Sequence, residues 1–119
     1  MTVTNHFSRL TEAEQERLVI LMEECAEVIQ AGAKVLRHGY ESTNPKKNDQ
    51  ETNKWALERE IGDLLHAIDR LTVAHDLNRA AINESRQSKA KLIEPYLHHQ
   101  GALDDDRITL AGPIGRLPE

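Results

Sequence analysis

From Leu18 onward, apolar residues fall at Leu18, Leu21, Met22, Cys25, Val28, Ile29, Gly32 and Leu36. At about 100° per residue these positions form one stripe along a helix. A start signal lies upstream in Thr11-Glu12-Ala13-Glu14. The Thr11 hydroxyl can accept from the amide of Glu14 while the Glu14 carboxylate reaches back, a capping box. Arg37 and His38 suit the negative end of the helix dipole, and Gly39 suits the position just past the last turn. The pattern predicts a helix over about 12–38, long for a globular protein.

A second stripe runs through Leu57, Ile61, Leu64, Leu65, Ile68 and Leu71, with Thr52 or Asn53 as N-cap and a start near Asn53 or Lys54. The adjoining face carries Ala56, Glu60, Asp63, Ala67 and Ala74. His75-Asp76-Leu77-Asn78 reads as a break with Asn78 as the next cap. A third helix is expected over about 79–94, with Ile82, Ala90 and Ile93 among its apolar positions and Pro95 ending it.

Between the first two helices, residues 40–53 have no apolar period, which predicts a long structureless loop. Residues 1–10 read as a loose arm, with Phe7 and Leu10 tacked onto the body. The helical domain is 11–95, and 96–119 is an irregular tail or an arm lying on a partner subunit. Three helices make a thin core, because a stripe stabilises only where something covers it. The fold class predicted is all-α, a bundle of long antiparallel helices completed by oligomerisation as a homodimer or tetramer.

Composition narrows the function classes. Of the 119 residues, 39% are hydrophobic and 29% charged, enough apolar material for one small domain. A net charge of −5 leaves no basic footprint for nucleic acid or an anionic membrane. No stretch reads as a membrane span or a signal peptide. The single cysteine, Cys25, excludes an intrachain disulfide and points to a reducing cytoplasm. Its place in the stripe makes it a small core residue.

The chemistry is in two acidic stretches, Glu23-Glu24-Cys25-Ala26-Glu27 and Glu60-Ile61-Gly62-Asp63. Glu24 with Glu27, and Glu60 with Asp63, project side by side, and like charges so placed weaken a helix. A divalent cation between the pairs removes that repulsion, and an all-oxygen set suits Mg2+ or Mn2+ better than zinc. Glu27 lies nearly opposite the main stripe and Glu24 on its flank, beside Ile20 and Ala31, which suggests a second crevice instead of a solvated face. Gly62 costs about 1 kcal/mol inside a helix, and a close helix or ligand contact would account for it.

Two rivals are weaker. A helical interaction module whose acids only keep a face soluble gives no reason for the same spacing twice. A ferritin-like di-iron bundle wants Glu-x-x-His on each of two helices. Only Asp63-Leu64-Leu65-His66 comes near, once, with His66 reading as a satisfied helix histidine.

The two acidic stretches resemble the motif of the MazG-like, all-alpha nucleoside triphosphate pyrophosphohydrolases, Glu-Glu-x-x-Glu on one helix and Glu-x-x-Asp on the next. The likeness covers about residues 15–92. Leu36-Arg37-His38-Gly39-Tyr40, followed by Asn44-Pro45, is similar to small bacteriophage members. Two departures stand out: the spacer between the motifs is longer than usual, and the family's basic residues on the last helix match only Arg86 and Lys89, with Ser85 where a lysine is expected.

The resemblance implies hydrolysis of a (d)NTP to the (d)NMP and pyrophosphate with Mg2+, Mn2+ being a substitute. It makes Glu24, Glu27, Glu60 and Asp63 the metal ligands, and places Glu23 behind them or as the group that helps activate water. Lys34, Arg37, Arg86 and Lys89 would steady the leaving pyrophosphate. Lys34 is best placed, one to two turns beyond Glu27 on nearly the same face. Trp55 would stack on the base, or else fill a core or an interface. The phage-like segment favours a purine deoxynucleotide, dGTP to dGMP, in phage nucleotide metabolism in the host cytoplasm. A relative acting on dUTP, dCTP or phosphoribosyl-ATP is the alternative.

Overall fold

The structure, a computed structural model, describes residues 3–5, 7–47 and 50–103. The expected tail therefore lies largely outside the described residues, from 104 on, as do parts of the N-terminal arm and of the loop. Two short strands, β1 (Val3–Asn5) and β2 (Leu10–Thr11), pair antiparallel with Val3 opposite Thr11 and Asn5 opposite Leu10. Three helices follow, α1 (Glu12–His38), α2 (Asn53–Val73) and α3 (Arg79–Leu92), and then a 3-10 turn, Glu94–Tyr96. The described residues are all-α in character.

Each helix starts where a side chain supplies the missing acceptor. The Thr11 hydroxyl accepts from the Glu14 amide at 3.1 Å while Glu14 Oε1 accepts from the Thr11 amide at 3.0 Å, the full capping box. Thr52 accepts from the Trp55 amide at 3.1 Å, and Asn78 accepts from the Ala81 amide at 2.9 Å. At the far end of α1, Gly39 takes φ +85° and its amide donates to the Val35 carbonyl at 2.7 Å. Pro95 stops α3 two residues short of the expected end, and the chain tightens into the 3-10 turn.

α1 and α2 form an antiparallel hairpin tied at both ends. At the open end Arg17 donates to both carboxylate oxygens of Asp76, at 2.5 and 3.0 Å, joining the start of α1 to the turn after α2. At the loop end the Lys54 amide donates to the Tyr40 carbonyl at 2.8 Å and the Asn53 amide to the Ser42 carbonyl at 2.9 Å. Asn53 Nδ2 adds a bond to the Gly39 carbonyl at 3.1 Å, and Thr43 bridges to Thr52. The loop expected to be structureless is thus closed at its neck. Asn44 Oδ1 also accepts from the Lys46 amide at 2.9 Å and shapes the turn at Pro45.

The helix contact is built on small residues. Ala31 of α1 and Ala67 of α2 are buried, and Leu71 is wholly so. The expected α1 stripe is only partly used. Leu21 and Val28 are half-buried on the side turned to α2, joined there by Val35 from outside the stripe, whereas Met22, Ile29 and Leu36 remain 70%, 73% and 90% exposed. The apolar arc of α1 is wider than one neighbouring helix can cover. Cys25 lies in the uncovered part and is exposed, so it is not the core residue its position in the stripe suggested. Phe7 is also exposed, while Leu10 is half-buried. α3 packs mainly on the 3-10 turn that follows it and only marginally elsewhere.

Leu71→Ala should cost about 2–5 kcal/mol, because it opens a cavity where the hairpin is tightest. Urea unfolding followed by circular dichroism measures this, and a loss under 1 kcal/mol would show that Leu71 does not anchor the contact.

Candidate metal centre

The two acidic stretches meet across the α1–α2 contact. One carboxylate oxygen each from Glu24, Glu60 and Asp63 lie within 4.8 Å of one another. Glu24 and Glu60 are half-buried and Asp63 is exposed, so the trio sits in an open cleft. Oxygens on opposite sides of a Mg2+ lie about 4 Å apart, since each bond is about 2.1 Å. A spread of 4.8 Å is within a small side-chain adjustment of that value. Three hard oxygen donors with water at the remaining positions fit Mg2+ or Mn2+, and the trio includes no sulfur or nitrogen donor that would favour zinc.

Electrostatics single out Glu24. Its carboxyl is held above the ordinary range, first by loss of surrounding water and then by the negative charge of Asp63, Glu60, Glu23 and Glu27 in that order. The four other carboxylates of the two stretches therefore all act on Glu24. Glu60 is partly relieved, since Arg59 donates to it at 3.2 Å. Arg59 also pairs with Glu51, so it links the acid cluster to the loop.

Beside the trio is a cavity of about 70 Å³ whose lining includes Glu27, Lys34, Asn44, Lys47, Arg59 and Glu60. Glu27 thus stands on the cavity wall next to Glu60 instead of inside the tightest group of oxygens. Lys34 is brought to the same wall, as its place on the helix suggested, and loop residue Lys47 joins it. Glu23 is exposed. Arg37 and Trp55 are exposed and do not line this cavity. Arg86 and Lys89 stand on α3, away from its walls, and Arg86 Nε is shielded from solvent with no hydrogen-bond partner among the described residues.

His66 Nε2 accepts from Arg70 Nε at 3.3 Å, the satisfied helix histidine expected, and it is not part of the trio. A Cβ added at Gly62 would meet nothing within 4 Å, so no close contact among the described residues accounts for that glycine. Lys46 and Lys47 are the loop lysines the sequence offers to an anionic ligand, and Lys47 lines the cavity. Arg59, Asn44 and Glu51 went unrecognised as neighbours of the site. Their only signal was the proximity of Arg59 to Glu60 in sequence; the other two reach the site through the closed loop.

Comparison with family models, with curated proteins and with solved structures gives no match. The chemistry of the cleft therefore rests on its own residues.

The raised Glu24 value sets a pH dependence. The folded state holds this proton more tightly than the unfolded chain, so its contribution to stability is fully present below the unfolded carboxylate value. It is lost as pH rises through the raised folded value. Glu24→Gln should therefore raise the thermal midpoint of chelator-treated protein at neutral pH and flatten its slope from mildly acidic to neutral pH. An unchanged slope in differential scanning calorimetry would mean that Glu24 is not the strained carboxylate.

Proposed function

We propose that this chain is a MazG-like, Mg2+-dependent nucleoside triphosphate pyrophosphohydrolase, converting a (d)NTP and water to the (d)NMP and pyrophosphate. The observation that carries the reading is the convergence of Glu24, Glu60 and Asp63 from two helices to within 4.8 Å, beside a cavity walled by Lys34 and Lys47. A soluble face alone gives no reason to bring acids together at a cost to Glu24. A cation-holding cleft next to basic groups has the layout a polyphosphate needs: metal at one end, ammonium groups at the other.

In this reading Glu24, Glu60 and Asp63 hold the ion, with Glu27 completing the set from the cavity wall. When bound, Mg2+ supplies charge neutralisation at the phosphate oxygens and acidifies water. The chain's own residues do the rest. Glu23, a carboxylate left free of the ion, accepts the proton of the water whose oxygen attacks the α-phosphorus. The bond from that phosphorus to the bridging oxygen breaks, and pyrophosphate leaves with the electron pair. Lys34 and Lys47 offset the charge on the departing group. Arg59, already shared between Glu51 and Glu60, keeps Glu60 oriented.

Arg37, Trp55, Arg86 and Lys89 could serve a substrate only from outside the cavity described. Among the described residues no helix is long and apolar enough to cross a membrane. The proposed setting is the cytoplasm, with the chain acting as a homodimer or tetramer on a free nucleotide. Within this reading dGTP is the first substrate to test.

Incubation with each common NTP and dNTP plus Mg2+ should yield monophosphate and pyrophosphate from at least one of them, resolved by anion-exchange chromatography. Asp63→Asn and Glu27→Gln should each lower that rate by about 100-fold or more while the helical circular dichroism is retained. A diphosphate with inorganic phosphate as products would mean that a different bond is cut, and hydrolysis undiminished in both variants would remove the proposed ligands.

A further inference from the structure

We infer that an open cavity between the start of α1 and the end of α2 is the subsite for the nucleoside half of the triphosphate, its sugar and its base. The inference rests on the hydrolase reading above and deepens it, because that reading fixes which way a substrate must point.

The cavity has a volume of about 660 Å³, and its lining includes Ile20 of α1, Asp69, Arg70 and Val73 of α2, and Ala74 just beyond. That is within the roughly 300–1,000 Å³ of small-molecule sites, and so is its make-up, mostly apolar surface with a few polar groups at the edge.

Helix geometry puts this cavity on the same side of the hairpin as the acid trio. Glu16, Ile20, Glu27 and Lys34 are spaced by four, seven and seven residues and share one flank of α1. Arg59, Asp63, Arg70 and Val73 are spaced by four, seven and three and share one flank of α2. In an antiparallel pair, equal rotations from the contact line carry residues to the same side. Measured from Ala31 and Ala67 at the contact, both flanks turn the same way. One furrow therefore runs the length of the hairpin. Lys34 and Lys47 are at its loop end, the acid trio is in the middle and the apolar cavity is at its open end.

The order along the furrow matches the order of parts in a nucleotide. With the reacting phosphorus at the trio and the departing pyrophosphate on the lysines, the sugar and base extend the opposite way. Ile20 is one turn from Glu24, about 6 Å along the axis, and Glu16 about 12 Å. In this arrangement the base is turned away from Trp55, which is on the first turn of α2 at the lysine end.

The walls suit a flat heterocycle. Ile20 and Val73 are 37% and 51% exposed and offer apolar surface for a ring to cover. Of the charged groups around them, Arg17 is already committed to Asp76 through two bonds. Glu16 and Asp69 can only accept, and Arg70, whose Nε is held by His66, can only donate. Guanine presents two donors side by side and two acceptors side by side, whereas adenine has a single exocyclic donor. A rim of carboxylates and a guanidinium therefore favours guanine.

Isothermal titration calorimetry on the full chain with Mg2+ tests this, using the non-hydrolysable α,β-imido analogues of dGTP and dATP and, as a probe with no nucleoside, inorganic tripolyphosphate. The wild type should bind the dGTP analogue about tenfold or more tighter than tripolyphosphate, and tighter than the dATP analogue. Ile20→Gln and Val73→Gln should each weaken the dGTP analogue by about tenfold while leaving tripolyphosphate, Mn2+ uptake and helical signal unchanged. Asp69→Asn should narrow the margin between the two analogues. If Ile20→Gln does not fold, Val73→Gln at the exposed end of α2 decides alone. Variants that keep full affinity for the analogue, or that lose analogue and tripolyphosphate alike, would overturn the assignment. A wild type that takes up neither Mn2+ nor tripolyphosphate defeats the hydrolase reading and the subsite with it. One that binds both and gains nothing from the nucleoside defeats the subsite alone.

Discussion

Close approach of α1 and α2 is the constraint on which the rest depends. Ala31 and Ala67 leave little side chain between the backbones, and Leu71 seals the contact where the turn after α2 folds back. Larger residues at the alanines would spread the helices, and the carboxylates of Glu24, Glu60 and Asp63 would part. The same closeness strains Glu24, which loses water and faces four other acids. Arg17 with Asp76 at one end and the loop neck at the other hold the hairpin against that repulsion. Packing thus opposes electrostatics at the cleft, a balance that a bound cation would reverse.

Much of this was legible in the chain. Thr11, Thr52 and Asn78 each precede an apolar period by the distance a cap requires, and all three accept the expected amide. The i, i+3 acids also point to a shared face on each helix. What the residues alone could not give was the side of α1 that α2 would choose. An arc running from Leu21 through Ile29 to Val19 offers several equally apolar directions, and periodicity cannot rank them. The observed choice buries Ala31 and leaves Met22, Ile29 and Leu36 outside.

The neighbours of the site were hidden for a different reason. Asn44 and Glu51 reach the cleft through the loop, whose closure depends on backbone bonds from Asn53 and Lys54 that no local pattern announces. α3 is a related case. Its caps and length follow the expected pattern, yet its arginine and lysine stay away from the cavity because α3 turns to the segment after it instead of to the hairpin.

The bonds at Tyr40, Ser42 and Gly39 also make the hairpin indifferent to the size of its tip. Ring closure is settled where the two strands of the neck meet, so residues inserted beyond it change only the entropy of a small outer circuit. Doubling such a circuit costs about 0.6 kcal/mol. A long spacer between the two acidic motifs is therefore no obstacle to their alignment, and the tip is free to diverge in length and composition while the start of α2 stays fixed.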